Sequence, residues 1–127
     1  MVTKMKYDET ELIEFFGLLP SEQDPEEKEF FGTTIFDYHQ DRYHLSVSFS
    51  IYRNDFYLDL KDVEFEKSIL EFRLKRVEEI KVRRDKPTSL AVLIVSAGSN
   101  VEGKEKEERM QTIELTLEPS ICIRLSN

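Results

Sequence analysis

From residue 33 onward, apolar and polar side chains alternate with a period of two, and this pattern constrains the fold more than any other feature of the chain. Tyr43, Leu45, Val47, Phe49 and Ile51 alternate with His44, Ser46, Ser48 and Ser50. Phe56, Leu58 and Leu60 alternate with Tyr57, Asp59 and Lys61, and the intervening Tyr52-Arg53-Asn54-Asp55 reads as a hairpin turn. The pattern returns at Leu70, Phe72 and Leu74, breaks phase at Val77 and resumes at Ile80 and Val82. A bulge or tight turn is therefore predicted between residues 76 and 79. The competing reading makes 68–81 one helix with Leu70, Leu74 and Val77 inward. Leu90 to Val95 is apolar on both faces, as in a central or doubly covered strand. Ile113, Leu115 and Leu117, then Ile121, Ile123 and Leu125 after Pro119, complete the series. The predicted strands are 33–39, 43–51, 55–61, 69–75, 90–96, 111–117 and 120–125, and an eighth follows the break at Val77. They lie close in sequence without intervening helices, so antiparallel meander pairing is favoured over βαβ crossovers.

One helix precedes them. Asp8 is a helix N-cap with Glu11 three residues later, and Tyr7 stands where it can staple onto Leu12. Leu12, Phe15, Phe16 and Leu19 form an apolar stripe, Gly17 supplies a helix stop and Pro20 forbids continuation. Asp24-Pro25-Glu26-Glu27 repeats the start signal and predicts a second single turn before Phe30. The expected fold class is α+β, mainly antiparallel β: a curved meander sheet or two-layer sandwich closed at one end by one short N-terminal helix. At 127 residues the whole chain, 1–127, is expected to form a single domain. Five Tyr and nine Phe with no Trp must fill that core. One or two exposed rings beside carboxylates would make an anchor-and-rim binding surface, with Phe15-Phe16, Phe30-Phe31 and Tyr38-Tyr43 nearest the acidic stretch.

Charge is distributed unevenly. The net charge is −8, and residues 1–41 carry eleven acids against three lysines, so that segment accounts for all of it. Glu22, Asp24, Glu26, Glu27 and Glu29 place five acids within eight positions, which predicts a binding site for a basic protein partner. An acidic chain is a poor phosphate neutraliser, so nucleic acid is not an expected partner. The N-terminal residues lead into acids rather than an apolar segment, and no apolar run approaches a membrane span. A cytoplasmic protein without a membrane partner is expected. Lys81, Arg83, Arg84 and Lys86 form a short basic cluster that Asp85 interrupts, which reads as strand and turn solvation.

Nothing in the sequence specifies chemistry. His39 and His44, with Asp37 and Asp41, are the only histidine-centred cluster. Odd and even positions face opposite ways unless the turn re-aims them, so no metal site is expected. Cys122 has no partnering base in any motif and is expected to be a packed thiol on an edge strand. No Gly-rich phosphate loop, nucleophile elbow or metal-ligand spacing is present. The expectation is a protein-binding module with no catalytic residue and no cofactor; the alternative is a homo-oligomeric, homodimeric for instance, or small-molecule-binding β domain.

Phe15-Phe16-Gly17-Leu18-Leu19-Pro20-Ser21, with Asp24 just after, resembles the opening of a group of bacterial immunity proteins from polymorphic-toxin systems. That opening has Phe-Gly, two residues, Pro-Ser and then an Asp; here Glu22 and Gln23 stand where the group usually has an aromatic and a His. The stretch from Leu70 to Val82 is similar to the same group's pattern of a strand, a Val at the turn and a second strand. The resemblance implies a small cytoplasmic protein that binds and blocks a cognate toxin, and it transfers no active-site residue.

Overall fold

The computed structural model describes residues 5–21, 32–85, 90–98 and 110–126. Helix α1 (Glu9–Phe16) is followed by eight strands: β1 (Thr33–Gln40), β2 (Tyr43–Ser50), β3 (Asp55–Asp62), β4 (Lys67–Leu74), β5 (Val77–Asp85), β6 (Leu90–Gly98), β7 (Met110–Thr116) and β8 (Cys122–Ser126). All pairings between strands are antiparallel, and the strands form two four-stranded meanders, β1-β2-β3-β4 and β5-β6-β7-β8. The expected mainly antiparallel α+β architecture is the one observed. The expected second turn at Asp24–Glu27 lies outside the described residues.

Alternation assigns each strand a core face. Phe36, Val47, Leu58 and Phe72 are mutual cross-strand neighbours in the first sheet, and Ile80, Val95 and Ile113 are in the second. Phe36, Leu45, Leu58, Leu93, Val95 and Leu115 are wholly buried, and one apolar cluster joins side chains of both sheets to Met5, Leu12 and Phe16. Each such Leu or Phe contributes about 1.5–3 kcal/mol of transfer free energy. In β6, Val92 and Ile94 are also buried, on the face opposite the core. Lys81, Arg83 and Glu114 flank them in register, so long charged side chains border apolar ones there.

The passage between sheets falls where the alternation lost its phase. β4 ends at Leu74, Arg76 takes a positive φ of 60°, and the register shifts between Val77 and Glu79. That shift lets Val77 and Ile80, of opposite parity, both be buried at the core. A helix over 68–81 is ruled out.

α1 is built as its sequence dictates. The Asp8 carboxylate accepts from Thr10 N and Glu11 N, and Gly17, at φ 71°, closes the helix by donating to the Ile13 carbonyl. The helix stops after Phe16, and Leu19 is 72% exposed rather than part of the buried stripe. The Tyr7 ring meets Phe49 edge-on at 5.1 Å. Residues 5–7 cover part of the outer edge of β5: Lys6 N donates to Glu78 O, and Ile80 N donates to Lys6 O. Gln40, at the end of β1, reaches the second sheet, its Nε2 donating to Leu117 O at 2.8 Å and its Oε1 accepting from Ile121 N at 3.2 Å.

Candidate functional site

The outward face of the first sheet is polar, and register arranges it in rows. Asp37, Ser46, Asp59 and Glu71 are successive cross-strand neighbours from β1 to β4. His39, His44, Lys61 and Ser68 form the next row, and Ile35, Ser48, Tyr57 and Arg73 flank the acidic row on its other side. Three carboxylates thus cross one sheet beside a row of imidazole and ammonium groups.

Asp37 is the hub. Its Oδ2 accepts from Ser21 Oγ and its Oδ1 lies 2.9 Å from His44 Nε2. Burial works to raise the Asp37 carboxyl, but hydrogen bonds from Ser21, His44 and Ser46, with attraction to His44, outweigh it and hold the group below its ordinary value. Asp59, which is 7% exposed, accepts from Ser68 Oγ at 3.0 Å and pairs with Lys61 at 3.6 Å. Arg73 lies over the Tyr57 ring at 5.2 Å, and burial followed by the Asp59 and Glu71 charges pushes the Tyr57 hydroxyl up.

Ser21 and His44 bind different oxygens of the same carboxylate, so Asp37 holds both side chains in position. Among the described residues no group of three His, Cys, Asp or Glu converges in a metal-holding cluster.

Two expectations need correction. His39 and His44 do not face opposite ways. The β1–β2 loop is the two residues Asp41 and Arg42, which pairs position 39 with 44, and the rings stack at 4.2 Å with an interplanar angle of 11°. Parity along one strand says nothing across a hairpin whose register joins odd to even positions. Cys122 is on edge strand β8 as expected, but it is exposed rather than packed.

The predicted partner-binding residues Glu22, Asp24, Glu26, Glu27 and Glu29 lie outside the described residues. Ser21, the last described residue before that stretch, is fixed to β1: its N donates to Ile35 O at 2.8 Å and its Oγ to Asp37. Of the basic cluster, Lys81 and Arg83 share one face of β5 and pair with Glu79 and Glu114, Arg84 has the opposite parity, and Lys86 is outside the described residues. Asp59, Glu71 and Lys61 carried no signal as single residues. They are found by aligning the hairpins, since the turn lengths fix which side chains share a row.

No family model and no curated protein matches the sequence. Among solved structures, a chain of the contact-dependent growth inhibition toxin–immunity protein complex from Klebsiella pneumoniae 342 is similar. The TM-score is 0.75 at 20% identity, covering 99% of this chain and 98% of that one. The two chains share a fold. The likeness runs through both meanders. No described helix is long and apolar enough to cross a membrane.

Proposed function

We propose that this chain is a non-catalytic, cytoplasmic immunity-type protein that binds a cognate basic toxin and neutralises it. The observation that carries this reading is the end-to-end likeness to a chain of a toxin–immunity complex. The opening Phe-Gly-x-x-Pro-Ser points to the immunity member of such a pair. Charge supports the same reading: the whole excess of −8 lies in residues 1–41, and Glu22, Asp24, Glu26, Glu27 and Glu29 form its densest part. Opposed charge steers encounter and selects partners, while apolar contacts supply affinity.

The test is neutralisation. A toxin-like protein encoded immediately upstream of this chain's gene is expressed alone and with this chain; growth arrest relieved by co-expression supports the reading. Absence of relief removes it, and concentration-dependent self-association without toxin binding would favour the homo-oligomeric alternative. Reversing Glu22, Glu26 and Glu29 to Lys is expected to slow association about tenfold and flatten its salt dependence. Unchanged association would discard the acidic segment as the docking face while leaving neutralisation standing.

A further inference from the structure

We propose that the turn end of the first sheet is a docking point for a protein partner presenting an apolar pocket ringed by Lys and Arg, with Phe65 as the anchor. This rests on the toxin-binding reading and places contact at residues that neither the sequence motifs nor the charge distribution had marked. The β1–β2 turn (Asp41 and Arg42) and the β3–β4 turn (residues 63–66) lie side by side, tied by a hydrogen bond from Val63 N to Arg42 O of 2.8 Å. On them Phe65 is 60% exposed and Val63 54%, and Ile69 nearby in β4 is 53% exposed.

The fold does not account for this turn's composition. Turns of this kind take Gly, Asn, Asp or Ser for conformational reasons. Here the residues are Val63-Glu64-Phe65-Glu66, and Glu66 holds φ 52° without being Gly or Asn. Val63 and Phe65 leave over half their surface in water, so they add little to the core. A turn that accepts local strain and exposes a Phe and a Val is better explained by what it contacts.

The knuckle is also held in place. The Arg42 guanidinium lies 5.4 Å from the Phe65 ring centroid and 5.7 Å from that of Tyr43. Arg42 bonds Asp62 at 2.9 Å and Glu64 at 3.4 Å, and the buried Asp62 also accepts from Glu64 N. An aromatic anchor and an arginine fixed before binding lose less freedom on binding, as expected of a hot spot. Asp41, Asp62, Glu64 and Glu66 against Arg42 and Lys67 leave two excess negative charges around the apolar tip. A second copy of this chain would bring the same acidic rim against its own, so the complementary occupant is a cationic one.

The experiment is kinetic. The toxin-like protein encoded immediately upstream of this chain's gene is immobilised, and binding of the full chain is measured for wild type, Phe65→Ala, Glu64→Lys/Glu66→Lys and Tyr52→Ala. Tyr52 is equally exposed at 60% but sits in the β2–β3 turn at the opposite end of the sheet. Thermal melts check that each variant is folded. Phe65→Ala is expected to weaken binding about 30-fold, chiefly by faster dissociation. The double reversal is expected to slow association, and Tyr52→Ala to stay within about twofold of wild type. Wild-type binding that Phe65→Ala leaves within about twofold, or that Tyr52→Ala reduces equally, overturns the docking point and spares the toxin-binding reading. Failure of wild type to bind removes both.

Discussion

Gln40→Ala tests whether one polar side chain fastens the two sheets together. In the wild type, Gln40 Nε2 donates to Leu117 O at 2.8 Å and to Tyr38 Oη at 3.1 Å, while its Oε1 accepts from Ile121 N at 3.2 Å. Truncation removes both bonds to the β7–β8 connection, where Leu117 is 4% exposed and its carbonyl loses a partner. Each neutral bond contributes about 1 kcal/mol net and an orphaned buried acceptor costs more, so the loss is about 2 kcal/mol. For 127 residues this is a fall in melting temperature of about 7 °C. Circular dichroism melts and urea titrations read it. Gln40→Glu sharpens the test. Its carboxylate keeps the acceptor for Ile121 N and can accept from the Tyr38 hydroxyl, but it turns an oxygen toward Leu117 O. Its stability should therefore recover as pH falls through the glutamate range and the carboxyl can donate again. A Gln40→Ala loss under about 0.5 kcal/mol, or a Gln40→Glu variant without that recovery, would refute the clamp.

Three further outcomes follow from the same geometry. Because Asp37 titrates below its ordinary value, its stabilising contribution is present above pH 3.8 and is lost as pH falls through the depressed folded value. The difference in urea midpoint between wild type and Asp37→Asn should shrink as pH falls below 3.8; a constant difference would contradict this. Gly17→Ala meets open space at φ 71° and should cost about 1–2 kcal/mol from backbone strain alone. Gly32→Ala adds contacts of 2.8 and 2.9 Å with Ile51 and Tyr52 to a φ of 56°, so it should cost more; equal losses in chemical denaturation would show that those side chains yield freely. Phe16→Ala removes a 4%-exposed ring stacked 4.8 Å from Phe36 and should cost about 3–5 kcal/mol, again read by urea denaturation.

The strands were legible because a half-buried sheet writes its two faces directly into the sequence. β2 and β3 begin where alternation begins, and the lost phase at Val77 marks the place where the chain changes sheet. The α1 boundaries were legible from Asp8 and Gly17, both of which cap as read. Relations between distant positions were not. Ser21 reaches Asp37 across 16 positions and Gln40 reaches Leu117 across 77, and no local pattern predicts either. The histidine pair was misread because face parity was carried across a turn. Phe65 carried no signal because it lies between the predicted strands 55–61 and 69–75, where alternation does not say which side chains are exposed.

These distinctions bear on what the opening motif reports. Phe16 packs in the core, Gly17 ends the helix, and Ser21 bonds β1 twice, through Ile35 O and Asp37. Each of these three residues has a structural task in ending the helix or fixing its exit to the first sheet. The motif therefore predicts architecture, which is what the 20%-identical structural relative shares across its length. On the toxin-binding reading proposed above, partner choice is expected to follow the carboxylates of residues 22–29 and the exposed turn around Phe65. Exchanging those two segments between two chains of this fold should move toxin specificity while leaving stability within about 1 kcal/mol, whereas exchanging residues 16–21 should do the reverse. Specificity that follows residues 16–21 in neutralisation assays would show that the motif itself touches the partner.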